Sequence, residues 1–162
     1  MLAREGQGAL KVGPMSAQLG VSRGSFYWHF RNIGEFRSLL LREWQEISTD
    51  QIIDELDARL DDPNRLKDLV QRAFGGQRKL DRAIRSWAAQ DRKVAAIVAA
   101  VDARRIARLA RLLAEAGVDG KHAGHRAVFL YWAFLGQTAV MDQRHASIPD
   151  HALNDIASLL ER

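Results

Sequence analysis

The residues best suited to chemistry lie in the segment 6–34, which contains no Asp or Glu although the 162-residue chain has 20 acidic side chains. Lys11, Arg23, His29 and Arg31 all lie within this segment. Basic side chains without competing carboxylates are suited to contact phosphate groups. The net charge of the whole chain, +4, permits a polyanionic partner without requiring one.

Apolar spacing predicts that two short helices position these side chains, one near 13–19 and one near 23–30. Gly20 and Val21 form the corner between them. The pattern predicts a helix-turn-helix, in which the first helix braces a second helix that is presented to a DNA duplex. The predicted core positions are Val12, Met15, Leu19, Phe26 and Phe30.

On a helical wheel that places Phe26 and Phe30 inward, three residues face outward. These are Gly24, Ser25 and Trp28, and they are flanked by Tyr27 and His29. Ser22 is a good N-cap, and a phosphate could supply the negative charge that the following turn lacks. Burial of the aromatic residues in a helical core is the alternative. Because these rings surround the helix, at least Trp28 must be exposed or meet a partner.

The segment Val12–Phe30, with the sequence VGPMSAQLGVSRGSFYWHF, and its continuation to Trp44 resemble the DNA-binding domain of TetR-family transcriptional regulators. The residues GVSRGSFYWHF resemble the family's signature through its recognition helix. The resemblance covers about the first 46 residues. It implies an all-α fold with a helix-turn-helix DNA-binding domain at 1–46, its motif at about 11–30, and a ligand-binding and dimerisation domain at 47–162.

The same resemblance implies that Arg23, Tyr27 and His29 contact phosphates, whereas Ser25 and Trp28 face base edges. Trp28 could pack on a thymine methyl group, and Ser25 could bond to either base type. Lys11 stands near the position where the family usually has a Thr or Ser anchor. The full predicted DNA-binding set is Lys11, Ser22, Arg23, Gly24, Ser25, Tyr27, Trp28 and His29.

The family's first helix normally precedes a turn such as Ala3-Arg4-Glu5-Gly6, and here only its last residues are present. We therefore expect the natural protein to carry one more helix, of about 15–20 residues. The function implied is a DNA-binding regulator, in the form of a repressor that a small-molecule ligand releases from a palindromic operator. The alternative is a helical dimeric ligand-binding or interaction module without DNA binding, because the first helix is largely missing.

The rest of the chain also has helical periodicity. Further helices are predicted near 33–46, 48–60, 64–75, 78–90, 91–116, 121–144 and 149–161. The family resemblance implies a ligand cavity in this part of the chain, with Phe74 and Trp87 as candidate lining residues. Arg105 interrupts an apolar stripe, so we expect it to face a pocket or an interface and to hold an acidic group of a ligand. Ordinary helical core is the alternative for these residues. Arg104, Arg108 and Arg111 are predicted to form a solvated face, with Asp102 as an ion-pair partner.

The segment 127–141 is apolar almost all round, which a surface helix of a monomer could not tolerate. The helix after Pro149 can cover one side, and a second copy of the chain would cover the other. We therefore expect a homodimer with an isologous four-helix interface. The predicted interface residues are Phe129, Trp132, Ala133, Gly136, Val140, Ile156 and Leu160.

The sequence offers little to catalysis or metal binding. It contains no cysteine, which excludes disulfides, thiolate metal sites and a cysteine nucleophile, and is consistent with a cytoplasmic location. His122 and His125 lie at i and i+3 without a matching set of ligands, so a polar helix start is preferred to a metal site. We expect no enzymatic activity, no cofactor, no metal and no membrane insertion.

Overall fold

The computed structural model describes residues 1–76, 79–139 and 148–161, and within them all regular structure is helical. The all-α prediction is therefore confirmed. The helices are α1 (Leu2–Glu5), α2 (Val12–Leu19), α3 (Arg23–His29), α4 (Ile33–Gln45), α5 (Gln51–Asp57), α6 (Arg65–Gly75), α7 (Lys79–Ala88), α8 (Arg92–Glu115), α9 (Gly120–Ala139) and α10 (Asp150–Leu160). A short 3₁₀ turn at Gln7–Ala9 precedes α2.

Glycine ends several of the helices, among them α1 at Gly6, α2 at Gly20 and α6 at Gly76. Gly20 has φ 66° and ψ 28°, a left-handed conformation that terminates α2 and directs its N–H back to the carbonyls of Ser16 and Ala17. One predicted break is absent, because Glu46–Asp50 continues from α4 into α5 as a π-helical stretch. No glycine or proline lies between Glu35 and Asp62 to stop the helix there.

The chain divides into two compact units, each made of two segments. The first consists of Met1–Ile52 and Arg78–Val101, and the second of Ile53–Gln77 and Asp102–Arg162. This division does not follow the predicted boundary between residues 46 and 47, because α7 and the first part of α8 belong with the N-terminal helices. The functional boundary itself stays a prediction.

The core of the first unit joins the two predicted motif helices to α4, α7 and α8. Its buried side chains are Leu2, Leu10, Met15, Phe26, Leu41, Trp44, Ile84, Trp87, Val94, Val98 and Val101. Within it, Trp44 Nε1 donates a hydrogen bond of 3.1 Å to Asp81. The prediction that Leu19 is a core residue is wrong, since its side chain is 74% exposed. Leu19 is the last residue of α2, and the chain turns at Gly20 before it can cover this side chain.

The second unit has its own apolar core and one buried arginine that the sequence analysis placed in solvent. Its core contains Leu66, Val70, Leu109, Leu113, Val118, Ala123, Ala127, Leu130, Leu153 and Ala157. Arg104 and Arg111 are exposed as predicted, whereas Arg108 is only 2% exposed. Arg108 follows the buried Val101 by seven residues and therefore shares its helix face. Asp57 at 2.6 Å and Glu115 at 3.3 Å balance the charge of its guanidinium.

Candidate nucleic-acid interface

The turn between α2 and α3 is fixed by a side-chain cap. Ser22 Oγ accepts a hydrogen bond of 3.1 Å from the Ser25 N–H, as its N-cap position predicts. The Ser25 hydroxyl lies 3.1 Å from the same Ser22 oxygen, and either hydroxyl can donate. The first turn of α3 contains no acidic side chain. The sequence Gly-Val-Ser thus ends one helix and starts the next within three residues.

The inner side of α3 is held against α4 by three phenylalanine rings. Phe26 is buried and lies 5.0 Å from Phe30 and 5.9 Å from Phe36, measured between ring centroids. Phe30 and Phe36 meet edge to face at 5.2 Å. Aromatic pairs at these separations are attractive in addition to the area that they bury. This cluster fixes the rotation of α3 about its own axis and so determines which residues face outward.

The outer side of α3 carries the residues that the helical wheel placed there. Trp28 is 83% exposed and Tyr27 is 57% exposed, and Gly24, Ser25 and His29 are exposed as well. The Trp28 and His29 rings stand edge to face, with their centroids 4.8 Å apart. The alternative of a buried aromatic cluster is therefore wrong for this side of the helix and holds only for the inner side, where Phe26 is buried and Phe30 is half-buried.

Arg23 folds back over the start of α2 rather than along α3. A Cβ atom built on Gly13 would lie only 3.0 Å from Arg23 Nη2, so the guanidinium occupies the space that the glycine leaves open. This role of Gly13 was not among the predictions from the sequence. A glycine inside a predicted helix was the available signal, because it often marks a close approach of another group. Lys11 is exposed at the N-cap of the same helix, which has no side-chain cap.

A second arginine, Arg37 of α4, fixes the backbone just before α2. Its Nη2 donates a hydrogen bond of 2.9 Å to the Leu10 carbonyl, and its guanidinium lies 6.0 Å from the ring centroid of the buried Trp87. Arg37 was not among the site residues predicted from the sequence. Its position four residues after Ile33 and seven before Trp44 was the signal, since this spacing places the arginine on the inner face of α4.

The acid-free segment ends at a compact cap on α4. Asn32 accepts a hydrogen bond of 3.0 Å from the Glu35 N–H, and Glu35 accepts one of 2.6 Å from the Arg31 N–H. The backbone hydrogen bond from Arg31 lowers the pKa of Glu35 below its ordinary value, and the nearby charges of Arg31 and Arg42 act in the same direction. Glu35 therefore stays ionised. It lies beside Arg31, which is one of the four basic residues of the segment 6–34.

The residues predicted to form a ligand pocket are distributed over both units. Trp87 is a core residue of the first unit, whereas Phe74 and Arg105 are half-buried in the second. Arg105 lies 5.9 Å from the ring centroid of Phe134. Nearby, Asp102 accepts a hydrogen bond of 2.7 Å from the Tyr131 hydroxyl. Among the described residues no cluster of His, Asp and Glu could hold a metal ion.

The predicted dimer surface carries large apolar side chains that are exposed in the described part of the chain. Phe129 and Trp132 of α9 are 64% and 66% exposed. Ala133, Gly136 and Ile156 are also exposed, and Leu160 is half-buried. Val140 lies outside the described residues.

In the described part of the chain, no helix combines the length and apolar character that a membrane span requires. Comparisons with protein-family models, with curated proteins and with solved structures found no match to this chain.

Proposed function

We propose that the protein is a sequence-specific regulator of transcription that binds double-stranded DNA through α3, in the manner of TetR-family repressors. The observation that carries this proposal is the exposure of Trp28 and Tyr27 on a short helix whose surroundings, residues 6–34, contain no acidic side chain. A covered aromatic side chain removes about 150–250 Å² from water, worth about 4–6 kcal/mol before the entropy of association is subtracted. A bound duplex would supply that cover.

Two roles follow for the residues around α3. Lys11, Arg23, Tyr27 and His29 contact phosphates and set the orientation of the helix in the major groove. Ser25 and Trp28 face the base edges. The position of Arg23 over Gly13 supports this division, because its guanidinium lies beside the start of α2 and away from the outer face of α3.

The regulator acts as a homodimer. The exposed side chains of Phe129 and Trp132 on α9 and of Ile156 on α10 support an isologous interface of four helices. Two copies of α3 about 34 Å apart, or a multiple of that distance, would read a palindrome. Light scattering at micromolar concentration tests this step, with twice the mass of one chain expected for the wild type and a monomer for Trp132→Glu. A wild-type monomer would contradict it.

A small-molecule effector in the C-terminal helices completes the proposal. Arg105, half-buried beside Phe134, is the residue most suited to an acidic group of such a ligand. Phe74 stays a candidate pocket residue in the same unit.

Selection of duplexes from a random library, followed by fluorescence anisotropy at several salt concentrations, tests the DNA-binding function. Lys11 and Arg23 of two protomers make four cationic contacts, so the logarithm of the affinity should fall with the logarithm of salt with a slope of about −3.6. This slope corresponds to a loss of roughly 150-fold between 50 and 200 mM salt.

Variants separate the two roles. Arg23→Ala and Tyr27→Phe should weaken binding to every duplex, whereas Trp28→Ala should change which duplex is preferred. Arg111→Ala removes the same charge from an exposed position in the other unit and serves as the control for Arg23. If no duplex is selected, or if affinity does not respond to any of the three changes, the alternative of an interaction module without DNA binding is favoured.

A further inference from the structure

The outer side of α3 has few groups that read bases through paired hydrogen bonds. Such contacts are made by Arg, Lys, Asn, Gln, Asp and Glu, and between Ser22 and Phe30 the sequence contains only Arg23 from this set. The guanidinium of Arg23 lies against Gly13 of α2. Because Tyr27 and His29 are assigned to phosphate contacts, what remains for polar readout is the Ser25 hydroxyl, already 3.1 Å from Ser22 Oγ.

The largest group on this side is apolar. Trp28 exposes 83% of its surface, and the only polar atom of its indole ring is an N–H donor. In the major groove the C5-methyl group of thymine is the one methyl group at the base edges, whereas cytosine has only a C–H at the same position and the remaining recognition groups are hydrogen-bond donors or acceptors. An indole that enters the groove therefore finds one kind of methyl partner.

We propose that Trp28 is the main specificity-determining residue and that it recognises the 5-methyl group of a pyrimidine in the operator. This inference rests on the proposed DNA-binding function. The ring of His29 stands edge to face with the indole, with the two ring centroids 4.8 Å apart, and so restricts the space open to Trp28 on that side. Because the recognised group is a methyl, 5-methylcytosine should be accepted where unmodified cytosine is rejected.

The test uses the duplex selected from the random library and replaces its thymines, one symmetric pair at a time, by deoxyuridine. This change removes only the methyl group and leaves every hydrogen-bonding atom in place. Burial of one such group is worth about 0.8 kcal/mol, which is about fourfold in Kd. With one contacted thymine in each half-site, the doubly substituted duplex should bind roughly 15-fold more weakly to the wild-type protein.

Two variants show which side chain recognises the methyl group. Trp28→Ala should bind the thymine and deoxyuridine duplexes equally well, because the partner of the methyl group is gone. Tyr27→Phe should weaken both duplexes and keep the ratio of their Kd values, since its contact is to phosphate. A duplex with a 5-methylcytosine·guanine pair at the contacted position should bind the wild type more tightly than one with cytosine·guanine.

The outcomes separate this inference from the function on which it rests. If no duplex binds, both are wrong. If the selected duplex binds the wild type with a steep salt dependence but is indifferent to every deoxyuridine substitution, only the methyl recognition is overturned. Retention of the thymine preference by Trp28→Ala would also overturn it.

Discussion

Glu115 balances two buried arginines at once, and replacing it by glutamine should destabilise the second unit more than its partly exposed position suggests. Its Oε2 lies 3.2 Å from Arg65 Nη1 and 3.3 Å from Arg108 Nη1. The two arginine residues are 8% and 2% exposed. The substitution keeps the size of the side chain and one carbonyl oxygen, so the measured change isolates the negative charge.

The size of the expected loss of unfolding free energy depends on which partners Arg65 and Arg108 keep after the substitution. Removing one partner of a buried ion pair typically destabilises a protein by about 3–5 kcal/mol. Here Arg108 keeps Asp57 at 2.6 Å, Arg65 keeps the Asp62 carbonyl at 3.2 Å, and the Glu115 side chain is 37% exposed. We therefore expect a loss of about 2–3 kcal/mol, which for a chain of this size lowers Tm by about 4–12 °C.

Thermal and urea unfolding at a fixed protomer concentration measure this loss, because dimerisation would otherwise change the apparent stability. Glu55→Gln is the matched control. Its carboxylate lies 2.5 Å from Arg72, but both side chains are about half exposed, so less than about 1 kcal/mol should be lost. Adding Arg108→Met to Glu115→Gln should cost less than the sum of the single changes, because both changes remove the same Arg108–Glu115 contact, which can be lost only once. Equal losses for the two glutamine variants, or full additivity, would refute the reasoning.

Two further predictions concern the first unit. Arg37→Met should lose about 2 kcal/mol of unfolding free energy, because a charged hydrogen bond to a backbone carbonyl and a cation–π contact disappear together. Arg42→Met is the control, since Arg42 lies on the exposed side of the same helix, and it should lose less than about 0.5 kcal/mol. Urea denaturation of both variants checks this, and equal losses would contradict it. Because the pKa of Glu35 is lowered in the folded state, its contribution to stability is present above the ordinary value of 4.5 and is lost as the pH falls through the folded pKa. The stability difference between wild type and Glu35→Gln should therefore shrink below pH 4.5 in denaturation series from pH 7 to pH 3, and a difference independent of pH would argue against the Arg31 contact as its cause.

The sequence was sufficient to predict most of the helices and the outer side of α3, because both depend on local rules, but not the continuous passage from α4 into α5. Gly20 and Ser22 define the turn between α2 and α3 through backbone conformation and a side-chain cap. The exposure of Trp28 follows from the position of Phe26 two residues earlier, since a helix turns by 100° per residue. No knowledge of the neighbouring helices was needed for either.

Contacts between helices distant in sequence were not predictable in this way. The hydrogen bond from Arg37 to the Leu10 carbonyl and the approach of Arg23 to Gly13 depend on how α4 and α3 pack against the start of α2. Periodicity gives the face on which a side chain lies and not the group it meets there. The burial of Arg108 is a different case, since its spacing from Val101 already indicated the inner face of α8.

The predicted domain boundary differs from the observed division into units for a similar reason, because contacts between distant helices determine it. A boundary after residue 46 treats the N-terminal helices as a separate domain, but Trp44 donates its hydrogen bond to Asp81, and Val94 and Val98 belong to the same core as Phe26. A fragment that ends at residue 46 would expose these apolar surfaces. A fragment intended to fold should include the second segment of the first unit.

The four tryptophans occupy environments that differ in a useful way. Trp44 and Trp87 are buried in the core of the first unit, whereas Trp28 and Trp132 are exposed on the surfaces proposed for DNA and for the second protomer. Exposed indoles emit at longer wavelengths than buried ones, and both exposed indoles would be covered on binding. Intrinsic fluorescence can therefore follow DNA binding and dimerisation without an added dye, with Trp28→Phe and Trp132→Phe assigning the signal to each event. The same cysteine-free chain accepts a single engineered thiol for labelling, since no other thiol competes.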